Sequence, residues 1–114
     1  MTVRDLVMLT ELNTYLSIRE QYRALRWKDN DGECEIELRM IPGEEYVEGE
    51  DFPKGVEPET VCGTLFAGDA STVPIRIGDR KIKAITVRRE EYREYHNRKA
   101  ERIVLDIMVY DIDH

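Results

Sequence analysis

Glu33-Cys-Glu-Ile-Glu-Leu-Arg-Met-Ile41 is the stretch that decides the fold. Cys34, Ile36, Leu38 and Met40 alternate with Glu33, Glu35, Glu37 and Arg39. A period of two sends the two sets to opposite faces of a β-strand, the apolar set inward and the charged set into water. Asp29-Asn-Asp-Gly32, just before it, has the composition of a tight turn. Arg23 to Lys28 is therefore expected as the partner strand of a hairpin, with Leu25 and Trp27 inward. Arg26 and Lys28 would then face the glutamate row, where opposite charges favour the register.

Toward the N-terminus, Thr2 suits a helix N-cap and Asp5 stands three residues on, a variant of the capping box. Val3, Leu6, Val7, Leu9 and Leu12 give a broad apolar face at helical spacing, and Asn13 is a plausible stop. Thr14 to Arg19 reads as a strand with Leu16 and Ile18 on one face. A helix through Ser17–Arg26 is the competing reading, since the segment holds good helix formers and periodicity does not separate the two.

On the C-terminal side, residues 43–60 contain Pro53 and Pro58, which do not suit a central strand. We expect a solvated acidic loop insertion, held to the body by Tyr46, Val47, Phe52 and Val56. Val61 to Phe66 is the next expected strand, and Asp69 to Pro74 a helical turn or corner. Arg80 to Arg89 is expected as a strand that changes face, and Glu90 to Glu101 as a short helix or a hairpin tip. Arg102 to Ile112 closes the chain as a strand, with Ile103, Leu105, Ile107 and Val109 on one side. The order predicts an α+β fold, a single domain over 1–114, in which an N-terminal helix packs on a mainly antiparallel sheet of about 5–6 strands.

Hydrophobic residues make up 41% of the 114, enough for a core, while 36% are charged, so the surface must be densely ionised. The net charge of −7 is unevenly placed. Within 43–60, Glu44, Glu45, Glu48, Glu50, Asp51, Glu57 and Glu59 stand against Lys54 alone, a local −6. Within 76–89, six basic residues stand against Asp79, a local +5. An overall basic balance, expected of a protein that binds nucleic acid without sequence preference, is missing. Cys34 and Cys62 are expected to be reduced, small core hydrophobes. The Met1 start carries no apolar signal stretch and no run is long enough to cross a bilayer, so the expected location is the cytoplasm, without membrane contact.

The residues that chemistry requires do not gather in the sequence. His96 lies in a charged stretch and His114 is the last residue; neither accompanies a serine or cysteine in a nucleophile pattern. The cysteines lack zinc spacing, and Asp29–Gly32 lacks the later ligands of a calcium loop. Asp111, Asp113 and His114 could gather a cation only adventitiously. No P-loop or dinucleotide fingerprint occurs. We expect no catalytic residue, no metal and no cofactor.

Two charge blocks remain. Glu44, Glu45, Glu48, Glu50 and Asp51 are the candidate partner-binding residues, because dense carboxylates speed encounter with a basic protein. Arg80, Lys81, Lys83, Arg88 and Arg89, with Tyr92 and Tyr95 beyond them, are the alternative: a surface for phosphate and a stacked base. The bland account of that run is an edge strand whose charges block aggregation.

Met1-Thr-Val-Arg-Asp-Leu-Val7, Tyr15-Leu-Ser-Ile-Arg19, Gly78-Asp-Arg-Lys-Ile-Lys-Ala-Ile85 and Ile103-Val-Leu-Asp-Ile107 together form a layout. It resembles small uncharacterised α+β proteins encoded by phages and prophages of Gram-positive bacteria. The resemblance carries no catalytic residues. It implies a bacterial-host cytoplasm and a role in binding a host protein with a basic surface. Some such proteins inhibit defence nucleases by mimicking nucleic-acid charge, as anti-CRISPR proteins do. The expected function is accordingly non-enzymatic binding of a host protein, with no direct nucleic-acid contact and room for a homodimer. A small nucleotide-binding or sequestering module, or a structural accessory without ligand, are the alternatives.

Overall fold

The structure is a computed structural model that describes residues 1–112. It is an α+β fold, nearly all sheet: helix α1 (Val3–Leu9) and strands β1 (Tyr15–Lys28), β2 (Glu35–Arg39), β3 (Glu59–Asp69), β4 (Ile82–Arg93) and β5 (Lys99–Val109), with single 3-10 turns at Ala70–Thr72 and Ile75–Ile77. The five strands form a mixed sheet in the order β2-β1-β5-β4, with β3 also paired to β1. By its contacts the chain divides into two compact units, residues 1–20 with 63–110 and residues 21–62 with 111–112.

In the first unit α1 starts as its sequence dictates. The Thr2 hydroxyl accepts from the Asp5 amide at 3.3 Å and the Asp5 carboxylate accepts from the Thr2 amide at 3.0 Å. The helix ends at Leu9, not Asn13, because Thr10 is already extended and its hydroxyl donates to the Val7 carbonyl. Val3 and Leu6 are buried, whereas Leu9 and Leu12, expected on the same apolar face, are exposed. Leu12 lies beyond the shortened helix, and Leu9 is its last residue.

The first half of β1 lies parallel to β5, Leu16 beside Leu105 and Ile18 beside Ile107. This corrects the expectation of a mainly antiparallel sheet. The run Ile103–Val109 explains it: apolar residues interrupted only by Asp106 suit a central strand covered on both faces. Val104, Ile107 and Val109 are indeed buried, so β5 does not have one inner face, and Ile103 is exposed. Leu16, Ile18, Ile107 and Val109 pack with Val3, Leu6, Ala70 and Ile77 as one core. Residues 90–101 are a hairpin tip rather than a helix; Asn97 takes a left-handed φ of 62° and Arg93 donates to its carbonyl.

In the second unit the hairpin stands as the alternating stretch predicts. Arg26 is in register with Glu37, Trp27 with Ile36 and Leu25 with Leu38. The Arg26 Nε donates to Glu37 Oε2 at 2.9 Å. The turn is tied by the Asp29 carboxylate, which accepts from the Glu33 and Cys34 amides, and by Gly32 at φ 71°. Thr14–Arg19 and Arg23–Lys28 prove to be parts of one long strand, so the helix alternative falls. Strand β3 runs Glu59–Asp69, taking its first two residues from the stretch expected as loop. Gln21 meets Cys62 and Arg23 meets Thr60, the antiparallel sense for β3 against β1.

Two expectations of burial fail here. Cys34 and Cys62 are both exposed free thiols, not core residues. Cys34 ends up in the turn, ahead of the first β2 residue, and Cys62 stands on the outer side of a strand whose buried residue is Val61. Ile36 is also exposed, since this unit buries only Ala24, Leu25 and Val61 among its apolar residues.

Candidate functional site

The acidic segment between β2 and β3 has no helix or strand, only turns and one isolated bridge between Glu48 and Phe52. Its turns are built at Gly43, Gly49 and Gly55, with φ of 87°, 93° and 84°, where any other residue would be strained. Its start is fixed by Tyr46, whose hydroxyl accepts from the Ile41 amide at 2.8 Å. The Asp51 carboxylate accepts from the Val47 amide at 2.6 Å and that of Glu48 from the Gly55 amide at 3.2 Å. Tyr46, Phe52 and Val56 are half-buried, while Val47 is exposed.

The five candidate acids therefore divide by role. Asp51 and Glu48 hold the turns. Glu44, Glu45 and Glu50 are exposed, and among the described residues none of the three has an ion-pair partner.

The basic run is used differently. Arg80 is largely buried; its guanidinium donates to the Glu20 carboxylate at 2.9 Å and to the Tyr110 carbonyl at 2.6 Å. Lys81 bridges back to Thr2, and Lys83 stands at an irregularity in β4. Arg88 and Arg89 are successive residues of one strand and so point to opposite faces. Arg88 is held by Asp106 at 2.5 Å and Glu90 at 2.8 Å. Tyr92 shares the Arg88 face, and Tyr95 is at the hairpin tip, edge-on to His96 at 4.8 Å. The alternative ligand-binding residues are thus not gathered on one surface.

Sequence reading missed a cluster on that same face. The Arg102 guanidinium lies 3.5 Å from the Tyr15 ring centroid and 4.4 Å from that of Tyr92, and donates to Glu90 at 2.6 Å. Arg102, Tyr15 and Tyr92, with Glu11, Thr14 and Asp69, line an open cleft of about 670 Å³. The Glu90–Arg102 register was the available signal, but it requires knowing where the hairpin turns. Arg102 already fills the gap between the rings, so no aromatic slot is left vacant there.

Glu90 is held below its ordinary pKa of 4.5, chiefly by the Arg102 hydrogen bond and then by Arg88. A carboxyl whose folded pKa is depressed stabilises the fold above the ordinary value, and that contribution is lost as pH falls through the folded one. In urea titrations, Glu90→Gln is expected to lower the unfolding midpoint at pH 7. The gap to the wild type should narrow as the pH falls below 4.5 and through the depressed folded value. A gap that stays constant with pH would contradict the assignment.

Among the described residues, no group of three or more His, Cys, Asp or Glu is placed to hold a metal ion, and no helix is long and apolar enough to cross a membrane. Asp111, one of the terminal residues considered for a cation, instead accepts from Arg39 at 2.5 Å; Asp113 and His114 lie outside the described residues. Compared with known protein families, curated proteins and solved structures, the chain matches none. The functional reading rests on the geometry above.

Proposed function

We propose that this protein is a non-enzymatic binding protein that docks onto a basic protein surface through the acids of residues 44–51. The observation that carries the reading is the unequal use of the two charge blocks. Arg80 and Arg88 are engaged by the chain's own carboxylates, whereas Glu44, Glu45 and Glu50 face water. The glycine turns and the Glu48 and Asp51 hydrogen bonds hold the segment in one shape, which lowers the entropy lost on docking. Grooves that bind nucleic acid are lined with Lys and Arg, so a bacterial defence nuclease is a partner class that such a surface fits, as the resemblance to phage proteins also implies.

The test is a pull-down from bacterial lysate with the wild type and with the combined Glu44→Gln, Glu45→Gln and Glu50→Gln variant, which leaves both turn-holding acids in place. We expect a basic protein retained at low salt, released as salt rises to about 0.5 M, and not retained by the variant. Equal retention by both chains would remove the acidic segment from the account.

A further inference from the structure

Strand β4 has β5 on one side only. Among the described residues no strand pairs with its other edge; the N-terminal segment reaches only its start, where Ile82 donates to the Met1 carbonyl at 3.0 Å beside the isolated Thr2–Lys81 bridge. Ile85, Val87, Arg89 and Glu91 share one face of β4, opposite Ile107, Leu105, Ile103 and Glu101 of β5. This is the face that carries the core at Ile107, yet toward the free edge it is uncovered. Ile85 is 44% exposed, Val87 62% and Ile103 63%. An open strand edge beside an apolar strip is what folded proteins ordinarily cover or disrupt.

The charges on that face distinguish among occupants. Arg89 and Glu91 have no partner of opposite sign in their own chain among the described residues. Their neighbours Arg88 and Glu90, on the other face, are tied to each other, to Asp106 and to Arg102.

The geometry points to a second copy of this chain as the occupant, joined β4 to β4 in antiparallel fashion about a two-fold axis at Glu90. Such an axis stands perpendicular to the sheet and keeps like faces together, so each residue must oppose one of its own face. Centred on Glu90, the register sets Arg89 of each copy opposite Glu91 of the other, two reciprocal ion pairs. It sets Arg93 opposite Val87, where the aliphatic stem can cover the exposed valine. Carried past the strand end, it brings the exposed Tyr95 near Ile85. The two Glu90 carboxylates meet on the axis, each accompanied by its own Arg88 and Arg102. Every such register sets its central residue opposite itself: at Glu90 that charge is already paired with Arg88 and Arg102, whereas at Arg89 or Glu91 it has no ion-pair partner among the described residues, and centred on Glu91 the register also sets Arg89 against Arg93. A foreign strand would satisfy the edge but has no reason to meet this R-x-E spacing. The inference does not rest on the acidic-segment reading, which uses other residues.

The experiment is sedimentation equilibrium of the full chain over about 1 μM to 1 mM, with far-UV circular dichroism as a check of folding. The wild type is expected to show a reversible monomer–dimer equilibrium. Arg89→Glu alone, or Glu91→Arg alone, places like charges opposite and is expected to weaken the dimer about tenfold or more. The double reversal, Arg89→Glu with Glu91→Arg, restores opposite charges in both pairs and is expected to recover most of the affinity. A wild type that stays monomeric throughout, single reversals without effect, or a double reversal no better than the singles would each overturn the proposal.

Discussion

Replacing Arg80 by alanine is expected to cost about 3–5 kcal/mol of folding stability, the range for removing one partner of a buried ion pair. Glu20 is only 7% exposed, and the Arg80 guanidinium is its charged partner at 2.9 Å while also satisfying the Tyr110 carbonyl. Without that guanidinium a buried carboxylate keeps its desolvation cost and loses the cation held 2.9 Å from it. Domains of this size have about 5–15 kcal/mol in all, so the melting temperature should fall by at least about 10 °C. The combined Glu20→Gln and Arg80→Met variant should be less damaged than Arg80→Ala alone, because the charge to be compensated is gone. Thermal melts of Glu20→Gln alone, Arg80→Met alone and the two combined close the cycle. Simple additivity would show that the two residues do not act as a pair, and an Arg80→Ala chain as stable as the wild type would return Arg80 to the surface, free for a ligand.

That pair marks the limit of what the sequence can say. Arg26 and Glu37 were legible because a turn of known chemistry lies between two strands of period two, so the register follows from local pattern. Glu20 and Arg80 are 60 residues apart, and no local pattern links them. The same holds for the parallel contact of β1 with β5. The apolar run Ile103–Val109 announces a well-buried strand but not its neighbour or its direction. Burial was misread wherever it depends on what lies on top. Leu12 and Ile36 have the right spacing for inner positions and Cys62 the right residue type, but the helix ends before Leu12 and the second unit buries only Ala24, Leu25 and Val61 among its apolar residues. Of the two charge blocks, the acidic one is contiguous in the sequence and needs no fold to be noticed. The breakup of the basic block could not be seen there, since it follows from alternation along β4 and from carboxylates supplied by β1 and β5.

Leu16→Ala is expected to cost about 2–5 kcal/mol, and Leu12→Ala less than about 0.5 kcal/mol. The two leucines are four residues apart, a spacing that one helix face would treat alike. The structure separates them. Leu16 is wholly buried on β1, beside Leu105 of β5 and within the cluster of Val3, Leu6, Ile18 and Ile107. Leu12 is 70% exposed in the connection after α1. Truncating Leu16 removes buried methyl groups and leaves a hole bounded by a sheet that cannot readily collapse, whereas truncating Leu12 removes atoms already in water. Urea unfolding of the two variants, read at equal slope, measures the difference. Similar losses at both sites would mean that the helix continues past Leu9 and buries both. A loss at Leu16 alone places the chain in extended conformation from Tyr15 onward, and with it the parallel β1–β5 contact on which the core of the first unit depends.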